Sequence, residues 1–178
     1  MQPEHGGATP LNVLFLCTHN SSRSQIAEAI MTKKVERLAF GRFRVASAGS
    51  TPADSVHAGA LRALQSYGID WTGHRPKSID EVADRRWDLV ITVCDRAKET
   101  CPHMPGQPAF AHWGFDDPSE VLDEAGRVKA FADVVTILAR RIDLLLSLPL
   151  ETLERRALEA RVQHIVDEAP AARGSTVS

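Results

Sequence analysis

Cysteine is scarce in this chain and comes as an odd number: three thiols in 178 residues, at Cys17, Cys94 and Cys101. A sparse, odd set excludes a disulfide framework as the source of stability. Aromatic residues are also few, at 6%, and Tyr67 is the single tyrosine. No apolar run approaches the roughly 18–20 residues that a membrane span requires. Residues 1–10 lack a basic stretch followed by an apolar one, so no secretory signal is expected and the protein is expected in the cytoplasm. Neither sign of charge dominates: the formal net charge is −2, which gives no electrostatic reason for a nucleic-acid partner.

The length suits one domain with a single core, and 43% hydrophobic with 25% charged residues suits a globular one. Residues 1–10, with Gly6, Gly7 and two prolines, read as a mobile lead-in. Residues 11–16 (LNVLFL) form a nearly continuous apolar run, the pattern of a strand buried on both faces. A helix is predicted over about 22–38, where Ala27, Met31, Val35 and Leu38 share one face. Strands are predicted at 43–48, 89–93 and 109–113. A helix marked by Val56, Ala60, Leu61 and Leu64 stops at Gly68. A long helix over about 128–148 ends at Pro149, another follows over 151–166, and 170–178 is a polar tail. Strands alternating with helices predict a three-layer α/β domain around a short, about four-stranded parallel sheet. The domain should occupy 11–148, with 149–178 as a helical extension.

In such a sheet, ligands bind past the carboxyl end of a strand, where a helix begins. Cys17 stands there, one residue beyond LNVLFL, and opens the run Cys17-Thr18-His19-Asn20-Ser21-Ser22-Arg23-Ser24. The residues between Cys17 and Arg23 can wrap a four-oxygen anion, their N–H groups and the helix N-terminus supplying positive field. Arg23 adds a planar fork for two oxygens. These features are expected to lower the pKa of Cys17 and keep it a nucleophilic thiolate. Ser24 can donate to the sulfur, and Asn20 can brace the loop. His19 either tunes Cys17 or faces solvent.

CTHNSSRS after VLFL resembles the loop of the low-molecular-weight tyrosine phosphatases, a superfamily that includes arsenate reductases of the same fold. The resemblance covers about residues 11–148. It implies a phosphatase-like fold and an oxyanion substrate, arsenate, with phosphate or sulfate as competitors. Two further segments bear on which branch the chain is similar to. Cys94 follows a strand and is separated from Cys101 by six residues. That spacing is similar to the redox pair of thioredoxin-coupled arsenate reductases, in which the second cysteine attacks the first and the third resolves the disulfide. Seven steps of helix span about 10 Å, whereas a disulfide needs Cα atoms within roughly 7 Å. Cys94 and Cys101 therefore pair only if the polar segment between them leaves helical geometry. A metal site is disfavoured, because the spacing exceeds that of a zinc knuckle and His103 lacks a fourth ligand.

The second segment is His112-Trp113-Gly114-Phe115-Asp116-Asp117-Pro118. An acid must protonate the oxygen that leaves when sulfur attacks. The resemblance implies Asp117 for this, ahead of Asp116, and a helix-capping role for Asp117 or Ser119 is compatible with it. Tyrosine phosphatases of this fold follow Asp-Pro with aromatics, but here Ser119 and Glu120 follow, so WGFDDP is similar to the reductases. Two departures stand out. Some reductases carry a further cysteine where this chain has Ser22. Members with a potassium site use four residues, of which Asn20, Glu28 and Ser47 match three, while the fourth position is Lys77. The Lys77 ammonium is expected to replace that ion.

The resemblance thus implies reduction of arsenate to arsenite by a three-cysteine relay recharged by thioredoxin. Thioredoxin is preferred over glutaredoxin or mycothiol because all three cysteines are present. No cofactor is expected, since thiols carry both electrons. The alternatives are a phosphatase using Cys17, Arg23 and Asp117 alone, and a non-enzymatic thiol sensor.

Overall fold

The computed structural model describes residues 9–38, 41–95 and 104–171. Cys101, residues 1–8 of the lead-in and residues 172–178 of the tail lie outside the described residues. Strands β1 (Leu11–Cys17), β2 (Phe43–Gly49), β3 (Leu89–Thr92) and β4 (Ala109–His112) form one four-stranded parallel sheet in the order β2-β1-β3-β4. The apolar run of β1 is explained by its central place, paired on both sides and buried on both faces. Its alternate residues divide two cores. Val13, Phe15 and Cys17 face the larger one, while Leu14 and Leu16 face a smaller one with Val82, Trp87, Val90 and Met104.

Among the described residues, four α-helices contribute to the larger core: α1 (Arg23–Leu38), α2 (Ala58–Ser66), α3 (Glu124–Leu146) and α4 (Arg155–Glu168). On the other face, the described residues contribute the 3₁₀ turn Ile79–Glu81 and the segment leading to Trp87. No helix among the described residues is long and apolar enough to cross a membrane.

Two helix starts differ from expectation. Helix α3 begins at Glu124, ahead of the apolar periodicity, because Asp123 caps it by accepting from the Gly126 amide at 2.6 Å. Helix α4 begins at Arg155, because the chain after Pro149 turns first, with the Thr152 amide on the Pro149 carbonyl at 3.1 Å. Helix α4 is no loose appendage: Leu158, Val162 and Ile165 are buried against the core.

Close approach of α2 to α3 depends on Gly59. A Cβ there would lie 2.5 Å from Cε2 of Phe131, which stacks on His57 with ring centroids 5.0 Å apart. Both the ring and the helix must shift to admit a methyl group. Gly59→Ala is expected to lower stability by about 1–3 kcal/mol, read as a lower urea midpoint; an unchanged midpoint would show that this contact yields freely.

Candidate active site

The turn after β1 is held from outside by its carbonyls. The Thr51 amide donates to the Thr18 carbonyl at 2.8 Å, the Ala53 amide to His19 at 2.9 Å and the His57 amide to Ser21 at 2.8 Å. All peptides here are trans, so in each unit the N–H points opposite to the C=O. The amides of His19, Asn20 and Ser22 are thereby turned inward. The Asn20 amide shows the result, reaching Cys17 Sγ at 3.2 Å. Inward N–H groups of this kind can hold an anion, and helix α1 starts directly behind them.

Asn20 takes the left-handed backbone, with φ of 48°, and is fully buried. Asparagine tolerates this conformation better than most residues. Its side chain is satisfied on both ends: Nδ2 donates to Ser24 Oγ and Ser47 Oγ, each at 2.8 Å, and Oδ1 accepts from the Lys77 amide at 2.8 Å and Gln25 Nε2 at 3.0 Å. Trp71 Nε1 in turn fixes Gln25 Oε1 at 2.8 Å. The expected brace role of Asn20 thus takes in two residues that sequence reading missed, Gln25 and Trp71. Gly49 was missed as well. It pairs in register with Cys17, and a Cβ there would lie 2.6 Å from the Thr18 carbonyl and 2.9 Å from the Asn20 amide. Only a residue without a side chain lets the loop pass.

Cys17 is buried, and its Sγ lies 2.7 Å from Ser24 Oγ. Its pKa corrects the expectation of a lowered value. Burial pushes the Cys17 thiol up from its ordinary value, and the Ser24 bond and Arg23 charge, though both pull it down, do not overcome burial. Nearby Cys94 adds to the upward push. Cys94 is itself buried, and Thr18 Oγ1 lies 3.5 Å from its Sγ, so one hydroxyl sits between the loop and the second thiol.

Arg23 Nη1 donates to the Phe115 carbonyl at 2.8 Å, and Nη2 lies 3.4 Å from Asp117 Oδ2. Its Nε is buried without a protein partner among the described residues, leaving a donor available to a bound anion. Asp117 is half-buried. Burial alone would raise its pKa, but bonds from the Ser119 hydroxyl (2.7 Å) and amide (2.9 Å), with Arg23 and His19, bring it below the ordinary value. Asp117 therefore caps the 3₁₀ turn Pro118–Glu120 and also faces the arginine. Thr18, Arg23, Cys94, Phe115 and Asp117 line a cavity of about 220 Å³, with Asp116 exposed at its rim beside His19, Asp95 and Glu120. The His19 ring is exposed and lies 3.1 Å from the Thr51 carbonyl. Ser21 and Ser22 contribute backbone to the turn.

Glu28, Ser47 and Lys77 also come together. Ser47 donates to Glu28 Oε2, and Lys77 Nζ lies 3.4 Å from the same oxygen. An ammonium among these groups does not suit a potassium ion.

The model of the low molecular weight phosphotyrosine protein phosphatase family matches residues 12–159. The chain belongs to that family. An arsenate reductase from Brevibacillus brevis is 38% identical over 130 residues, which span 68% of this chain and 93% of the relative. Among solved structures, a low molecular weight protein tyrosine phosphatase from T. tengcongensis superposes with a TM-score of 0.62 at 26% identity, over 76% of this chain and 97% of its own. A thioredoxin-dependent arsenate reductase from Corynebacterium glutamicum does so with a TM-score of 0.58 at 31% identity, over 78% of this chain and 62% of its own. Both a phosphatase and arsenate reductases occur among these similar proteins.

The Ser24 bond lowers the Cys17 pKa, so removing it must raise that pKa further. In Ser24→Ala the pH dependence of Cys17 alkylation by iodoacetamide should shift to higher pH, with slower labelling at neutral pH. An unshifted profile would exclude Ser24 as a stabiliser of the thiolate.

Proposed function

We propose that this chain reduces arsenate to arsenite through a thiol relay in which Cys17, Cys94 and Cys101 act in turn. The observation that carries the reading is Cys94, buried in the wall of the oxyanion cavity and in contact with loop residue Thr18. Phosphoester hydrolysis has no use for a second thiol there. The curated relatives named arsenate reductase support it.

Cys17, a thiol in the free site, passes its proton through the bound oxyanion to Asp117, and its sulfur attacks arsenic(V) to form an S–As bond while Arg23 and the inward amides hold the oxygens. Asp117 protonates the departing oxygen, which leaves as water. In the free site its lowered pKa keeps it ionised. A bound oxyanion draws Arg23 toward itself and adds negative charge nearby, and both effects raise the Asp117 pKa toward that of a proton donor. Cys94 thiolate then attacks Cys17 Sγ. The S–As pair returns to arsenic, which becomes arsenite, while the two sulfurs lose two electrons between them as a disulfide. Cys101 attacks Cys94 and frees Cys17, and a thioredoxin dithiol reduces the Cys94–Cys101 disulfide. The named dependence of the Corynebacterium glutamicum protein supports thioredoxin as reductant.

Phosphatase activity is the second reading, favoured by the complete set of Cys17, Arg23 and Asp117. With Phe115 as the one aromatic among the described cavity residues, the cavity offers an aryl ester little to pack against. Cys94→Ser separates the two. The variant should lose steady arsenate-dependent NADPH oxidation with thioredoxin and its reductase, yet hydrolyse phenyl phosphate within about two-fold of the parent protein, a residual activity that needs no relay. Retained arsenate reduction would refute the relay. We further propose that the Lys77 ammonium stands in for a potassium ion on Glu28. Turnover should then be indifferent to exchanging sodium for potassium, and a marked requirement for potassium would contradict it.

A further inference from the structure

The arm that carries Phe115 and Asp117 is fastened to the C-terminal helix at successive points. Gln163 on α4 treats the end of β4 as a strand would: its Oε1 accepts the His112 amide at 2.8 Å and its Nε2 donates to the His112 carbonyl at 2.9 Å. Glu159 Oε1 accepts the Phe110 amide at 3.1 Å. Trp113 Nε1 donates to the Val162 carbonyl at 3.1 Å. Edge strand β4 therefore has α4 side chains where another strand would bond.

The last fastening is Arg141 of α3. It is fully buried, its guanidinium lies 4.5 Å from the centre of the Phe115 ring, and its Nε donates to the Ala169 carbonyl at 2.8 Å. Neither Nη has a partner, and no carboxylate pairs with it among the described residues. Burial lowers its pKa to about 10, so it remains a cation at neutral pH. A buried cation without an anion is a costly way to fill space, and an apolar residue of similar shape is often as stable or more so. Arg141 contacts the ring of Phe115, and the carbonyl of that same residue is the acceptor for Arg23 Nη1.

We infer that Arg141, clamped by the C-terminal segment through Ala169, is a positioning residue that holds Phe115 and thereby sets the guanidinium of Arg23 over the oxyanion loop. Helix α4 then belongs to the site, although Val162, Gln163 and Ala169 lie beyond the family match at 12–159. The inference rests on the oxyanion-site reading of the loop, and not on the redox relay.

The test uses the full-length chain and inorganic phosphate as probe, by calorimetry, beside kcat and KM for phenyl phosphate and arsenate, with a thermal melt. Arg141→Met should bind phosphate several-fold more weakly and lose about ten-fold in kcat, since small misplacements of a positioning group cost rate, while the melting temperature does not fall. A fall in melting temperature with phosphate affinity and kcat of the folded protein intact would overturn the inference, as would no change at all. Gln163→Ala, on the exposed face, guards against a folding failure: it should weaken phosphate binding in the same direction by a smaller factor, and unaltered binding would count against the inference. If the parent protein binds phosphate but does not reduce arsenate, the proposed reaction fails while the positioning inference stands.

Discussion

A residue with a side chain seldom adopts a left-handed backbone, yet the site turns on one that does. Asn20 reverses the chain directly after Cys17, and the reversal holds because its amide side chain is fully bonded inside the core. Segment 51–57 takes the loop carbonyls on the outside, which obliges the amides to face in. An inward ring of N–H groups is unfavourable when nothing accepts from it, so the fold stores a preference for an anion at this place. The burial that sharpens this preference also raises the pKa of Cys17. Affinity for an oxyanion and ease of ionising the thiol therefore pull against each other, and Ser24, the Asn20 amide and Arg23 are the groups that moderate the conflict.

The second constraint is the arm from β4 to Pro118. It brings Asp117 to Arg23 and supplies the Phe115 carbonyl to the same guanidinium, so both side chains are positioned by one short stretch of chain. That stretch follows an edge strand, which by itself is the least restrained kind of sheet element. Helix α4 and Arg141 supply the missing restraint. Helix α4 is thereby coupled to the site along the edge of the sheet.

The sheet is legible in the sequence, because β1 must be apolar on both faces to lie at its centre, and the Cys17–Arg23 run then falls at the strand-to-helix junction where anions bind. Local pattern carries that information. What was not legible depends on contacts between distant residues. Gly49 looks like a strand end until the register sets it against Thr18. Gln25 looks like a helix surface residue until Trp71 and Asn20 meet it inside. Arg141 sits among apolar neighbours on an amphipathic helix and carries no motif. The Cys17 pKa runs opposite to what the motif suggests, because a motif shows the stabilising donors and hides the depth of burial that opposes them.

The central claim is that oxidation at Cys17 passes to Cys94. It is tested most directly in Cys101→Ser, which cannot resolve the first disulfide. One equivalent of arsenate added to the reduced variant, followed by peptide mapping by mass spectrometry, should reveal a Cys17–Cys94 disulfide, with arsenite released in equal amount. Arsenite release with both thiols still reduced, or recovery of unreacted arsenate with no disulfide formed, would contradict the account.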